Sequence, residues 1–263
     1  MERYYLICAY VLAGILGLCA GSFLNVVIYR LPRKMNIAFP PSHCTACDYT
    51  LKWYDNIPVV SYLLLGGKCR KCKQPISARY VAVELANTVL WLISVAVFWK
   101  ESPVYAAVSA IACSILICVF CIDLEYMIIF NRFSVMLGLC GIIAVFFDTC
   151  TKPADRVIGA LAGGGIFALI YLGGFLVFKK EALGLGDVKL AAAAGLLLGW
   201  QKLILAVLIG SLAGSIVLVA LNRMKNRERD TEYPFGPFLA AGILIALLAG
   251  NPVLEWYTGI ILG

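Results

Sequence analysis

The chain has 263 residues, of which 62% are apolar and only 14% are charged, with a net charge of +7 at pH 7. An ordinary soluble domain carries about 25% charged residues, so this chain has too few to cover the surface of a soluble globule. The same composition excludes a disordered chain, a collagen and a small disulfide-rich domain. Apolar runs of about 20 residues, the length that crosses a bilayer, instead predict an all-α polytopic membrane protein.

The apolar runs predict about eight transmembrane helices. They cover 4–29, 81–99, 104–122, 133–149, 156–178, 188–200, 202–222 and 235–250. The first is interpreted as a retained anchor, because its polar lead is too short and too weakly basic for a signal peptide. The sixth is short and begins with polar residues, which predicts a tilted or incomplete span. The tail 251–263 contains Asn251, Pro252 and Glu255 and is predicted to lie at the membrane interface.

The basic residues predict the orientation of the spans. If the loop 30–80 lies in the cytoplasm, most of the 22 Lys and Arg residues fall on the cytoplasmic side, as the positive-inside rule requires. Both termini then lie outside, and the basic run 223–230 is interpreted as a cytoplasmic anchor. The positive net charge is therefore a topology signal. No nucleic acid is expected as a partner, since no basic patch is interleaved with aromatic residues on a soluble domain.

The loop 30–80 contains two C-x-x-C pairs about 20 residues apart, a spacing typical of zinc ribbons. The four residues are Cys44, Cys47, Cys69 and Cys72. Four thiolates would complete a closed tetrahedral site, so the predicted zinc is structural, and it would supply folding energy to a small domain between the first two helices. Disulfides or free thiols are the alternative, and the reducing cytoplasm disfavours disulfides. His43 beside the cluster is a further candidate ligand.

Two aspartates stand at the predicted cytoplasmic edge of the membrane. Asp123 ends the third span and Asp187 opens the sixth, directly after Gly184 and Gly186. An ionisable residue at membrane depth indicates function. Because His43 is the only histidine, a metalloprotease of the H-E-x-x-H type is excluded, and a hydrolase would have to use carboxylates, thiols or a cysteine-bound metal.

The two aspartates could share a proton and act as general base and general acid on a peptide bond, as in aspartyl proteolysis. The two glycines would let substrate or backbone approach Asp187 closely. The simpler alternatives are an N-cap role for Asp187 and an ordinary interfacial position for Asp123. A helix C-terminus disfavours a negative charge, which weakens that alternative for Asp123.

Several segments together resemble one known family. The sequence GLGD at 184–187 matches the G-x-G-D signature of intramembrane aspartyl proteases. Further segments of the chain narrow this to the bacterial type IV prepilin peptidases: GSFLNVVIYRLP at 21–32, the two C-x-x-C pairs, LKWYDNIPVVSY at 51–62, SARY at 77–80, Glu84, and PFGPF at 234–238. The residues after Asp123 depart from the family, which often has a Pro-Asp pair where this chain reads MIIFN at 127–131.

The resemblance implies an enzyme of the inner membrane with two activities. Such enzymes cleave the basic leader of prepilins or pseudopilins on the cytoplasmic side, typically after a Gly. They then methylate the new amino terminus, often of a Phe, with S-adenosylmethionine. Asp123 and Asp187 fall on the family's catalytic aspartates, with Gly184 and Gly186 in the active-site loop. The first cytoplasmic loop is the part linked to methylation.

For the methyltransferase no Gly-rich nucleotide fingerprint is present in the sequence. The candidate residues are Asp55, Asn56, Tyr80 and Glu84, because an acid could hold and deprotonate a cationic amino terminus. The alternatives are that Asp55 caps a turn and that Glu84 pairs with Arg79.

The predicted organisation is a first transmembrane helix (1–29), a zinc-binding, methylation-linked loop domain (30–80) and a membrane peptidase bundle (81–263). The bilayer and prepilins or pseudopilins are the expected partners, and a homodimer is left open. The alternatives are a peptidase whose zinc loop is only a scaffold, an ion-coupled transporter and a non-catalytic assembly subunit of a secretion apparatus. A transporter would place such acids near the bilayer midplane rather than at its edge.

Overall fold

The computed structural model describes residues 2–178, 183–225 and 233–262. These residues form helices and loops, and the only β-structure among them is a pair of isolated bridges, His43–Thr50 and Lys68–Pro75. The predicted all-α architecture is confirmed. The chain divides into two compact units, residues 1–99 and 100–263.

The first unit consists of two long helices and the loop between them. Helix α1 (Glu2–Arg30) packs against α3 (Arg79–Phe98), and the loop contains a 3-10 turn (Trp53–Asn56) and the short helix α2 (Val60–Leu64). The two long helices approach closely at two glycines of α1. A Cβ at Gly17 would lie 3.0 Å from the Thr88 Cα, and one at Gly21 would lie 2.7 Å from the Glu84 Cα. Small residues of this kind let membrane helices pack backbone to backbone.

The second unit contains six helices. They are α4 (Pro103–Tyr126), α5 (Asn131–Phe147), α6 (Pro153–Phe178), α7 (Leu185–Leu198), α8 (Trp200–Lys225) and α9 (Gly236–Leu262). Ser102 caps α4 by accepting the backbone N–H of Tyr105 at 3.2 Å. The helix ends at Met127, which adopts a left-handed conformation with φ of 54°.

Helix α7 packs against α5 and α6 through small residues. A Cβ at Gly163 would meet the backbone of Ala191, and one at Gly141 would lie 2.9 Å from the carbonyl carbon of Leu196. This tight packing holds α7 inside the unit, so the residue at its N-terminus has a fixed place.

All eight predicted spans correspond to helices. Six of the described helices are long and apolar enough to cross a membrane, namely α1, α3, α4, α6, α8 and α9, while α5 and α7 have 17 and 14 residues. The predicted end of the last span near residue 250 is wrong, because α9 continues through Pro252 to Leu262. A proline removes one helical hydrogen bond, whereas leaving the helix in an apolar medium would expose several backbone groups. Residues 226–230 of the predicted basic anchor lie outside the described residues.

Candidate active site

Asp123 lies in the last turn of α4 and is 5% exposed. Its carboxylate accepts the backbone N–H of Gly236, the first residue of α9. A Cβ at Gly236 would overlap the Asp123 Oδ2. The N-terminus of α9, which is the positive end of its dipole, therefore faces the Asp123 carboxylate. The C-terminus of α4, where Asp123 lies, disfavours the negative charge of that carboxylate. Sequence reasoning did not single out Gly236, although it lies in the segment PFGPF that contributed to the resemblance.

Asp187 lies in the first turn of α7 and is 7% exposed. The N-cap of this helix is Gly184, so the alternative that Asp187 itself is the N-cap is wrong. Its carboxylate instead accepts the backbone N–H of Gly184, which is one half of a capping box. Its Oδ1 has no hydrogen-bond partner among the described residues. Asp187 thus keeps one oxygen for a donor that the described residues do not supply.

Ile129 connects the surroundings of the two aspartates. A Cβ at Gly186 would lie 2.8 Å from the Ile129 Cβ, and one at Gly236 would lie 3.0 Å from the Ile129 Cδ1. The carboxyl groups of Asp123 and Asp187 are close enough to interact electrostatically. Both aspartates therefore lie at the same end of the second unit. The connection after α4 departs from the family pattern in sequence, yet it supplies this contact through Ile129.

The four cysteines of the loop come together. Their sulfur atoms lie within 4.8 Å of one another, with Sγ–Sγ distances of 3.8 Å for Cys44 and Cys72 and 4.0 Å for Cys47 and Cys69. A tetrahedron with zinc–sulfur bonds of about 2.3 Å has edges of about 3.8 Å. The four thiols could therefore hold a metal ion. The His43 Nδ1 lies 3.1 Å from the carbonyl oxygen of Pro41.

The two C-x-x-C pairs form matching turns. Asp48 donates its backbone N–H to the Cys44 carbonyl at 2.9 Å, and Lys73 donates to the Cys69 carbonyl at 3.0 Å. Asp48 and Lys73 both have positive φ angles, 54° and 62°. Backbone N–H groups of Cys72 and Lys71 lower the pKa of the Cys69 thiol to about 6. A backbone hydrogen bond from Tyr49 lowers the pKa of the Cys47 thiol, but burial and hydrogen bonds with the neighbouring cysteines outweigh it and raise that pKa to about 11. These two cysteines therefore differ in how easily they form the thiolate that binds a metal.

A cavity of about 440 Å³ lies in the first unit, between the end of α1, the cysteine loop and the start of α3. Its volume falls in the range of small-molecule sites. All four methyltransferase candidates line it, namely Asp55, Asn56, Tyr80 and Glu84.

Two of these candidates have structural partners. The Asp55 carboxylate accepts the Nε of Arg70 at 2.7 Å and the backbone N–H of Lys52 at 3.4 Å, where it caps the 3-10 turn. Burial opposes its ionisation, but these hydrogen bonds outweigh it and hold the pKa of Asp55 below its ordinary value. The Glu84 carboxylate accepts the backbone N–H of Val59 at 2.8 Å. Val59 is a β-branched residue with φ of 60°, a strained conformation.

Comparison with known proteins divides the chain as the structure does. Residues 15–99 match the Bacterial Peptidase A24 N-terminal domain, and residues 110–219 match the Type IV leader peptidase family. The chain is similar to proteins named prepilin leader peptidase/N-methyltransferase. The protein of Aeromonas hydrophila is 35% identical, and the match covers 94% of this chain and 92% of that protein. The protein of Pseudomonas aeruginosa is 36% identical, and the match covers 95% of this chain and 93% of that protein. The protein of Legionella pneumophila is 33% identical, and the match covers 95% of this chain and 94% of that protein. No solved structure matches.

Proposed function

Because the chain belongs to the type IV leader peptidase family, we propose that it cleaves the leader of type IV prepilins or pseudopilins by an aspartyl mechanism. We further propose that it methylates the new amino terminus with S-adenosylmethionine as donor. The observation that carries the peptidase activity is the pair of buried carboxylates, of which Asp187 has an oxygen without a hydrogen-bond partner in the part of the chain that the structure describes.

In the proposed cleavage, Asp123 and Asp187 share one proton. The ionised carboxylate removes a proton from a water molecule, which attacks the carbonyl carbon of the scissile bond. The protonated carboxyl donates to the carbonyl oxygen, and the pair then delivers a proton to the departing amine. The Gly236 N–H holds Asp123 in place, and Gly184 and Gly186 leave room for the substrate backbone.

The methylation is proposed for the first unit. The cavity lined by Asp55, Asn56, Tyr80 and Glu84 has a volume suited to a nucleoside-sized donor. The four cysteines would hold a structural zinc ion, which stabilises the loop that forms one wall of this cavity. Since the basic residues concentrate on the side of the loop, both activities are proposed for the cytoplasmic face of the inner membrane.

The peptidase-only alternative draws support from Asp55, whose carboxylate is committed to Arg70 and Lys52. In that case the cysteine loop serves as a scaffold.

The test uses purified full-length protein with a prepilin-like substrate and S-adenosylmethionine, and the product mass is measured. Wild type is expected to give a shortened product carrying one added methyl group. Asp123→Asn and Asp187→Asn should abolish cleavage, because one carboxyl cannot serve as both acid and base. Glu255→Gln is the matched control, since Glu255 is an exposed acid on α9.

The possible products separate the alternatives. A shortened product without the methyl group would leave only the peptidase. An intact substrate with folded wild-type protein would contradict the peptidase and favour the transporter or assembly alternatives. Full cleavage by either Asn variant would overturn the assigned aspartates.

A further inference from the structure

The 440 Å³ cavity begins where the close contact between α1 and α3 ends. Gly21 holds the two backbones together at Glu84, and the next residues along that face of α1, Ser22 and Asn25, line the cavity. Asn25 donates to the Tyr80 carbonyl at 3.0 Å, and Ser22 forms a hydrogen bond with Glu84. Asn25 therefore lies opposite Tyr80 and Ser22 opposite Glu84, so Asn25 and Glu84 are about one helical turn apart along the helix pair.

Asn25 carries a buried acceptor without a donor. The residue is only 4% exposed. Its Nδ2 donates to the carbonyl oxygens of Tyr80 and Gly21, so both amide protons are used. Its Oδ1 has no hydrogen-bond partner among the described residues. A buried oxygen left without a donor is costly and is rare in folded proteins. Because Asn25 lines the cavity, a ligand that brings an N–H or O–H group would satisfy this oxygen.

Glu84 adds an anion with free acceptor capacity. It is 7% exposed and lines the same cavity. Its partners are the Val59 N–H and the Ser22 hydroxyl, both neutral. An ionised carboxylate has about four acceptor positions, so this one can take further donors. A charge buried among neutral groups is strongly stabilised by a cation.

The two arginines that line the cavity already have hydrogen-bond partners within the first unit. Arg30 is 5% exposed and donates to the carbonyl oxygens of Asn36, Ile37 and Pro41. Arg70 pairs with Asp55 at 2.7 Å. The cavity wall therefore offers a neutral acceptor and an anion about one helical turn apart, and the guanidinium groups of the cavity are used to hold the loop. A primary ammonium group, with three N–H donors and one positive charge, fits this set.

We propose that Asn25 and Glu84 bind the primary amine of the methyl acceptor, with the Asn25 Oδ1 accepting one N–H and the Glu84 carboxylate taking the ammonium proton. The proposal rests on the proposed methylation. The proton moves from nitrogen to a carboxylate oxygen and frees the nitrogen lone pair. This lone pair forms the N–CH₃ bond as the C–S bond of the donor breaks, which leaves a neutral thioether. Glu84 then releases its proton to water.

The first experiment measures binding without turnover. The full-length protein in nanodiscs is titrated with a peptide that begins with a free Phe amine, and separately with the same peptide N-acetylated. Wild type should bind the free amine more tightly by about tenfold or more, the range for hydrogen bonds to a charged group. Asn25→Leu and Glu84→Gln should bind the free peptide about as weakly as the acetylated one.

Asn87→Leu is the matched control. Asn87 is fully buried in the same helix pair and donates to the Gly17 carbonyl at 2.8 Å, yet it does not line the cavity. If Asn25 acts only by joining the helices, both Leu variants should lose binding equally, and the proposal would be wrong. If Asn25 binds the amine, Asn25→Leu should lose the preference for the free amine and Asn87→Leu should keep it.

The second experiment uses Asn25→Asp, which keeps an acceptor oxygen but loses both amide donors. A second carboxylate favours the cationic amine, so this variant should keep binding while its methylation optimum moves to higher pH. Leader cleavage should stay unchanged in all three cavity variants, Asn25→Leu, Asn25→Asp and Glu84→Gln. Equal loss in Asn25→Asp and Asn25→Leu would indicate a structural role and overturn the proposal.

The two proposals fail in different ways. If wild type binds the free amine preferentially but never methylates it, the amine site stands and the methylation is wrong. If wild type methylates but Asn25→Leu does so with an unchanged KM for the acceptor, the amine site is wrong.

Discussion

Gly236 occupies a position where a side chain would not fit. A Cβ there would overlap the Asp123 Oδ2, and the backbone N–H of the same residue donates to that carboxylate. Gly236 is also the first residue of α9, where the helix dipole favours a negative charge. One residue thus brings a donor to Asp123 at a distance that only glycine allows.

Gly236→Ala tests this role. The added methyl group should displace the Asp123 carboxyl, and a displacement of about 1 Å from the reacting geometry costs on the order of 100-fold in rate. We expect the kcat of leader cleavage to fall by about that factor, with methylation of an already cleaved substrate unchanged. Gly165→Ala is the control, since a Cβ at Gly165 has no atom within 4 Å. Equal activity of the two variants would contradict the assigned geometry.

At the scale of the helix, α7 is held at the end opposite Asp187. The buried guanidinium of Arg156 donates to the Leu197 carbonyl, to the Leu196 carbonyl at 3.2 Å and to Asp148. The free carbonyls at the C-terminus of α7 are thus satisfied by an ion pair whose two side chains are almost fully buried. The axial position of Asp187 then depends on this contact through the rigid helix.

Breaking this ion pair should destabilise the protein more than removing it completely. Arg156→Met leaves a buried carboxylate without a partner, which costs about 3–5 kcal/mol of unfolding free energy. Replacing both partners, with Arg156→Met and Asp148→Leu together, should cost less than either single change. Thermal unfolding in detergent measures all three. A double variant as unstable as the sum of the two single variants would mean that the groups do not interact.

The cysteine loop contains its own charged contact, and this contact predicts a pH dependence. Asp55 has a pKa below its ordinary value, so its contribution to loop stability is complete above the ordinary carboxyl pKa of about 4. It is lost as the pH falls through the lower folded value. At pH 7, Asp55→Asn should increase amide hydrogen exchange over residues 44–76. The difference from wild type should shrink as the pH falls below about 4 and vanish below the lowered pKa of Asp55.

Asp48→Asn is the control for that measurement. Asp48 is exposed, and its positive φ of 54° suits Asn as well as Asp. This variant should match wild type at every pH. A constant difference between Asp55→Asn and wild type across the pH range would show that charge is not the cause.

At the scale of the whole molecule, the candidate residues for the two activities fall in different compact units. The cysteine cluster and the 440 Å³ cavity belong to residues 1–99, and the two aspartates belong to residues 100–263. The two family matches follow the same division. The proposed function therefore assigns each activity to a separate unit of one chain.

Removal of the metal should separate the two activities. A chelator, or Cys44→Ser, should unfold the cysteine loop, because the proposed zinc ion on the four thiolates would supply much of its stability. Methylation should fall with the bound zinc, while leader cleavage in the same reaction should persist. Cys140→Ser, a change of a cysteine in the second unit, is the control. Parallel loss of both activities with the zinc content would mean that the loop also takes part in cleavage.

The sequence predicted the local features of the fold well. Apolar runs located all eight long helices, and the C-x-x-C spacing located the four sulfur atoms that come together. It did not predict the contact of Gly236 with Asp123 or the pairing of Arg156 with Asp148. These contacts depend on how the helices are arranged in space. The end of α9 was also mispredicted, because Pro252 reads as a helix end in water but is tolerated within an apolar helix.

The length of α7 has a consequence for the surrounding lipid. Its 14 residues cover about 21 Å, whereas the hydrocarbon core of a bilayer is about 30 Å thick. Because α7 is packed inside the second unit, water or neighbouring protein must fill the depth that the helix leaves, and each acyl carbon added to the lipid increases that depth. Thicker bilayers should therefore slow the enzyme by making hydration of the Asp187 end more costly. In that case the acyl-chain length of the host membrane would set the rate of a hydrolytic reaction in which the lipid takes no chemical part.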